Sequence, residues 1–307
     1  MKKFVLIALA MGFAHFTFSQ EADTIKPWKT GANFSLTFSQ TSLTNWSTGG
    51  ENSLASNGYL NWFGDFKRGK SIWENRLDLA YGLTKQGTED FRKNDDKIDL
   101  SSKYGLQAKG KWYYGALFNF KSQFADGFDY LEDTAILLSG FLAPAYTSIG
   151  VGMDWKPKDY FSLYISPVTA RWIIVNNQDL ADMGAFGVDP AEYDDLGHVI
   201  KNGQKVKSEF GALLRAEFIR DIAKNVNLKT KLELFSDYLD KPQEIDIYWD
   251  VFFTMNINKW LAATLNTTLI YDADVMIVDK DGNKGPRTQF KEIFGLGLTY
   301  SIGATQK

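Results

Sequence analysis

The chain has 307 residues, a formal charge of −3, two histidines and no cysteine. This excludes a disulfide framework and a lipid-modified cysteine at a cleavage site, and the acidic balance argues against a nucleic-acid partner, which needs a basic surface. Aromatic residues make up 15% of the chain, and where they sit tells more than their number.

The first segment, Met1 to Gln20, has the parts of a secretion signal. Lys2 and Lys3 form a charged start, Phe4 to Phe18 is mostly apolar, and Thr17 and Ser19 are small residues where cleavage needs them. The apolar run is interrupted by His15 and Thr17 and is short for a membrane-spanning helix. The expected organisation is a signal peptide over 1–19 and one domain over 20–307.

Beyond the leader the chain alternates with period two. Trp73, Asn75, Leu77, Leu79, Tyr81 and Leu83 share one face of a strand, and Glu74, Arg76, Asp78, Ala80, Gly82 and Thr84 share the other. Twelve strands are predicted, near 30–41, 53–66, 72–84, 97–108, 111–124, 143–155, 160–170, 208–221, 225–237, 244–257, 260–272 and 288–302. The first two alternate least cleanly: 53–66 sets Asn57, Tyr59, Asn61 and Phe63 against Leu60 and Trp62. Ten strands with an N-terminal plug is therefore an alternative.

Connections after even-numbered strands are short: Lys67-Arg68-Gly69-Lys70, Lys109-Gly110, Lys156-Pro157-Lys158-Asp159, Ile222-Ala223-Lys224 and Asn258-Lys259. Those after odd-numbered strands are mostly long and polar. Short turns at one end and long loops at the other are the pattern of an all-β, transmembrane, antiparallel up-and-down barrel of about twelve strands, with both termini periplasmic. The mean hydropathy of −0.26 is compatible with this, because lumen and loops dilute the lipid face.

Charge and aromatic placement sharpen the expectation. One row of the strands holds Glu74, Arg76, Asp78, Asp99, Lys103, Lys121, Asp154, Glu209, Arg215, Glu217, Lys229, Lys231, Glu233, Asp246, Asp250 and Lys291, while the other holds only Glu292. The first row is the expected lumen face. Its mixed sign favours internal salt bridges over an ion-selective ladder. Trp62, Phe66, Trp73, Trp112, Trp155, Tyr160, Phe161 and Trp260 cluster near the short turns, where a membrane interface favours amphipathic rings.

The loop between the first two predicted strands contains Asn45-Trp46-Ser47-Thr48-Gly49-Gly50-Glu51-Asn52. Gly49 and Gly50 suit a reversal with positive φ, and Trp46 is read as a turn residue, with insertion into the barrel mouth as the alternative. With Gly285-Pro286-Arg287, read as a turn before the last strand, and the barrel pattern throughout, this Asn-Trp-x-x-Gly-Gly-x-Asn stretch resembles a family of Bacteroidetes outer-membrane barrels of unknown activity, domain of unknown function 3078. The resemblance implies an outer-membrane location and no particular chemistry.

The loop from Asn176 to Lys207 carries Asp179, Asp182, Asp189, Glu192, Asp194 and Asp195, then Lys201, Lys205 and Lys207. Simple solvation is the expectation for these charges. Asp279-Lys280-Asp281-Gly282-Asn283 lacks the bidentate acid of a calcium loop and is read as a turn. His198 is the one histidine beyond the leader, and no serine or acid stands at a telling spacing from it, so no catalytic residue, metal site or cofactor is expected.

The expected role is passage or capture of a small solute through a narrow polar lumen. An interaction or assembly barrel working through its extracellular loops is the alternative, and an outer-membrane hydrolase a distant third. The expected setting is the outer membrane of a Gram-negative bacterium. Its lipid and lipopolysaccharide are the expected partners, with periplasmic chaperones and the barrel-assembly machinery acting during insertion.

Overall fold

The computed structural model describes residues 27–44, 50–131, 134–278 and 282–304. The leader and Trp46 and Gly49 of the loop motif lie outside the described residues, as do Asp279, Lys280 and Asp281. Twelve long strands form the body: β1 (Trp28–Thr41), β2 (Ser53–Arg68), β3 (Ser71–Gln86), β4 (Arg92–Lys109), β5 (Trp112–Ser122), β6 (Ala145–Lys158), β7 (Phe161–Ile174), β8 (Val206–Ala223), β9 (Val226–Asp237), β10 (Ile245–Asn256), β11 (Leu261–Tyr271) and β12 (Gln289–Gly303). Each pairs antiparallel with its neighbours in sequence. β1 closes the circuit on β12, from Gly31↔Gly303 to Phe38↔Leu296.

The two weakly patterned N-terminal segments are full barrel strands, paired from Trp28↔Phe66 to Thr41↔Ser53, so the plug alternative does not hold. β2 reads as irregular because bulk replaces charge over the middle of its inward face, with Asp65 left toward the tight turn. Tyr59 and Phe63 are buried inside, and Tyr59 meets Phe252 of β10 edge-on at 5.5 Å.

Local chemistry sets the tight ends. Gly69 (φ +58°) and Gly110 (φ +60°) reverse the chain in two-residue turns, a conformation that costs most side chains energy. At the other end the loops contain small hairpins: Gly127–Leu131 with Thr134–Ser139, Glu192–Tyr193 with Val199–Lys201, and Met276–Val278 with Lys284–Pro286. Gly285 and Pro286 thus lie in a strand and not in the turn expected of them. They pair there with Ile277 and Met276.

Polarity runs opposite to that of a soluble sheet. The outward row of β1 is Phe34, Leu36 and Phe38, all exposed, and that of β12 is Phe294, Leu296 and Leu298. Inward lie Ser35, Thr37, Asp99, Ser101, Lys103, Asp154, Arg215, Lys231 and Thr264, all buried. Water would penalise such an exterior over most of a barrel wall. A closed sheet satisfies its backbone without water and leaves no edge, so fold and polarity together define a membrane-spanning β-barrel.

Candidate functional site

The inward charges meet across the barrel. Asp78 of β3 holds Lys229 of β9 at 2.7 and 2.8 Å through its two oxygens. Asp99 of β4 pairs with Lys231 of β9, Lys97 of β4 with Asp250 of β10, and Lys121 of β5 with Glu233 of β9. In a twelve-strand circuit β3 and β9 are opposite each other, as are β4 and β10. Lysines are long enough to reach across only because the barrel is narrow there.

Arg215 of β8 completes this lock, with Glu217 at 2.6 Å, Glu233 at 3.5 Å and Ser101 Oγ at 3.1 Å. The void left among Arg76, Asp78, Asp99, Arg215, Glu217 and Lys231 is about 10 Å³. That is room for a single water at most.

Nearer the tight turns a second cluster closes the same channel. Glu74 pairs with Lys156 and, at 3.6 Å, with Lys103. Asp154 lies 3.0 Å from Lys103, whose Nζ also donates to Ser162 Oγ at 2.8 Å. Arg76 pairs with Asp65. Beside the lock Leu117, Tyr164, Leu213 and Phe235 form a small apolar core. Tyr164 lies flat on the wall and donates to Gly150 O at 2.8 Å, and any side chain at Gly115 would collide with its ring.

Above the lock, toward the long loops, the interior opens into a vestibule of about 550 Å³. Lys97, Asp99, Lys121 and Glu233 form its floor, and Tyr146, Phe235 and Tyr248 are prominent on its walls. Arg171 stands in the wall, paired with Glu209 and Asp246 and stacked 3.9 Å from the Phe235 ring centre. Lys121 sits 3.5 Å from the Tyr248 ring centre. Cations on ring faces and in ion pairs hold these walls in place.

A lid covers part of this mouth. Asn177 caps the short helix Gln178–Asp182 by accepting from Leu180 N at 3.0 Å. Leu180, Ala181 and Val188 pack on Ala143, Ile173 and Val175 of the rim. Backbone ties from Val175 N to Lys205 O (2.7 Å) and Gln204 N to Asp189 O (2.9 Å) hold the two ends of the loop. Phe186 reaches the vestibule from its left-handed backbone conformation, φ +59°.

Three acids of that loop bond within the loop itself. Asp182 Oδ1 accepts from Gly203 N and from Gln178 Nε2, both at 2.7 Å. Glu192 pairs with Lys201 at 2.9 Å. Asp194 accepts from the backbone of His198 and Leu196, which holds its carboxyl below the ordinary range, and its other oxygen meets His198 Nδ1 at 3.1 Å. His198 is exposed there, whereas Ser166 is buried in the β7 wall with its Oγ 2.9 Å from the Val151 carbonyl. The structure does not bring these two together as a catalytic pair.

The turn-end aromatics pack in groups. Trp28 contacts Phe66 at 5.3 Å and Trp73 at 5.8 Å; Trp155 contacts Trp112 at 6.2 Å and Phe161 at 6.1 Å. Tyr160 meets Phe218 at 5.6 Å, Trp260 stacks on Tyr300 at 6.1 Å, and Trp62 covers Gly64. Trp73 donates through Nε1 to Ser102 Oγ, which in turn donates to Asn75 Oδ1, so two polar groups on the outward face satisfy each other. In the loop motif Gly50 has φ +121°, and Asn52 Oδ1 accepts from Leu43 N at 2.6 Å.

The sequence pattern leaves out Lys156, Arg171 and Lys207, which lie in strand extensions beyond the predicted limits, and Lys97, which shares the inward face of its predicted strand with Asp99. It also missed Tyr248, an inward aromatic between Asp246 and Asp250 that strict alternation could have flagged.

Residues 38–128 match the model of a family described as a protein of unknown function (DUF3078). No curated protein matches the chain. Among solved structures the chain is similar to the NanC porin, with 8% identity, 90% of this chain and 100% of that one covered, and a TM-score of 0.37. It is also similar to an outer-membrane channel from Pseudomonas putida F1, with 11% identity, 92% and 99% covered and a TM-score of 0.36. The translocator domain of the autotransporter NalP from Neisseria meningitidis has 10% identity, 91% and 89% covered and a TM-score of 0.33.

Proposed function

We propose that this barrel sits in the outer membrane of a Gram-negative bacterium and captures a small solute from the external side, releasing it inward only when the ion-pair lock opens. One observation carries the reading: a vestibule of about 550 Å³ stands above the ion-paired lock, where the void among the charged side chains is only about 10 Å³. A permanently open pore has no use for that floor, and a purely structural barrel has no use for that vestibule. The tight turns and both chain ends belong in the periplasm, the long loops outside, with lipid and lipopolysaccharide as the surrounding partners. The periplasmic chaperones and assembly machinery that handle such barrels would deliver it there after removal of the leader.

A second reading is favoured by the hairpin Gly127–Leu131 with Thr134–Ser139, whose Phe128, Tyr130, Ile136 and Leu138 are exposed above the barrel. It makes the loops a docking surface and the lumen a strut. No catalytic role is proposed.

Conductance of the purified protein in planar bilayers separates these readings. The wild type is expected to be silent. Replacing Asp99, Lys121, Lys231 and Glu233 together by alanine is expected to give discrete current steps. If verified insertion of both proteins yields no current, solute passage falls and the docking reading stands. Labelling of single cysteines gives the orientation: Asp90→Cys and Asp194→Cys react on intact cells, and Gly69→Cys does not. Reaction at Gly69 alone inverts the topology.

A further inference from the structure

The vestibule wall is ion-paired with one exception. Asp96, Asp99, Glu233 and Asp246 each have a cation within salt-bridge distance, namely Lys93, Lys231, Lys121 and Arg171. Asp272, one residue beyond the end of β11, has none among the described residues, although it is only 7% exposed. One of its oxygens accepts the Asp274 N–H at 2.9 Å.

Among the described residues no charged group around it makes an ion pair with it, and Arg171 favours its carboxylate only from a distance. Asp246 and Asp274 are acids. Arg171 is already shared between Glu209 and Asp246, and Lys207 between Glu209 and Asp274. A buried carboxylate without a counter-ion is costly, and the sequence keeps one at the rim of a ligand-sized cavity.

We infer that Asp272 is the counter-ion for a cationic group on the vestibule's ligand, and that this ligand is an organic ammonium ion with an apolar body. The inference rests on the vestibule reading above and names its substrate class. Although charged and polar residues are numerous in the wall, most of the surface it turns to the cavity is apolar, and rings and aliphatic groups that share it with Asp272 include Tyr146, Phe186, Phe235, Ile270 and Tyr271. Such a lining suits an alkylated ammonium, which gains from aromatic faces and tolerates loss of its weak hydration shell. A divalent metal would want several oxygen ligands, and no group of three metal-ligating side chains occurs among the described residues. Burial and the adjacent Asp246 carboxylate push the Asp272 carboxyl up to about 6. Ligand affinity therefore falls as pH drops through that value and the carboxyl takes up a proton.

The test uses the purified full-length barrel in detergent, with phenyltrimethylammonium, its neutral isostere tert-butylbenzene and the anion benzenesulfonate as probes. Phenyltrimethylammonium is expected to bind saturably, and Asp272→Asn to weaken it by about tenfold or more while leaving tert-butylbenzene unaffected. The asparagine variant should also lose the fall in affinity on acidification. Equal affinity of wild type and Asp272→Asn, tighter binding of benzenesulfonate, or binding of magnesium alone would each overturn the inference. Ile270→Trp, which fills the vestibule, separates the two levels. If it abolishes binding while Asp272→Asn does not, the vestibule stands without its cation subsite. If it leaves binding intact in a protein that migrates as a folded barrel, the vestibule reading itself falls.

Discussion

Lys231 and Asp99 meet across the barrel interior, one from β9 and the other from β4, with their side chains 8% and 2% exposed. Each is the other's main compensation in a space that excludes water. Removing one partner strands a buried charge, which typically destabilises by about 3–5 kcal/mol, whereas removing both leaves only a small void. Asp99→Ala and Lys231→Ala should each lower the urea midpoint of the barrel in lipid vesicles, and the double variant should recover most of the loss. Additive losses in the double variant would mean the two residues are not coupled.

The two faces of β3 should respond in opposite ways to charge. Leu79 faces outward and Asp78 inward, holding Lys229. Leu79→Arg places a guanidinium toward lipid at a cost of about 2–4 kcal/mol near mid-membrane and should block insertion. Asp78→Asn should insert, yet lose about 1–3 kcal/mol of stability, because Lys229 has no other carboxylate partner among the described residues. Folding yields into vesicles, read by heat-modifiable migration, give the answer; equal yields for both would discard the register.

Ten of the twelve strands are plain in the sequence because lipid on one side and charge on the other enforce strict alternation, whereas β1 and β2 alternate less cleanly. The failures have local causes. In β7 the inward row runs Ser162, Tyr164, Ser166 and then Thr169, Arg171, Ile173, because the ladder slips where Pro167 cannot donate a hydrogen bond. Past that bulge a period-two count puts Arg171 on the wrong face, and Arg171 anchors the vestibule wall. Asp272 was invisible for another reason. Its isolation depends on where Arg171 and Lys207 spend their charge, and that follows only from the closed fold.

The lid should open without disturbing the barrel. Leu180 is 2% exposed and contacts the rim cluster around Ile173 and Val175. Leu180→Ala removes about 2–4 kcal/mol of packing from the underside of a loop that otherwise rests on the smaller Ala181 and Val188. Trypsin cleavage after Lys201 and Lys205 should accelerate severalfold while the barrel's heat-modifiable migration is unchanged. Unaltered cleavage, or collapse of the barrel itself, would show that the loop is not a separately stabilised lid.

Asp272 supplies a pH dependence of unusual sign for an acid in a well-paired interior. Its carboxyl is raised from 3.8 to about 6 in the folded protein, chiefly by burial and then by Asp246. The folded state therefore holds this proton more tightly than the unfolded state does, and stability is greatest when the group is neutral. The contribution is complete below about pH 4 and is lost as pH rises through about 6, leaving a penalty on the order of 3 kcal/mol at neutral pH. Asp272→Asn should match the wild type near pH 4 and exceed it near pH 8 in urea midpoint. Phenyltrimethylammonium should then raise the wild-type midpoint at the higher pH and leave the variant's nearly unchanged, since only a bound partner of the charged carboxylate stabilises the folded state. Midpoints that move in parallel with pH would assign the titration to another group. A variant more stable than the wild type at neutral pH, yet unable to hold the ammonium, would mean that the charge is kept for the ligand and not for the fold.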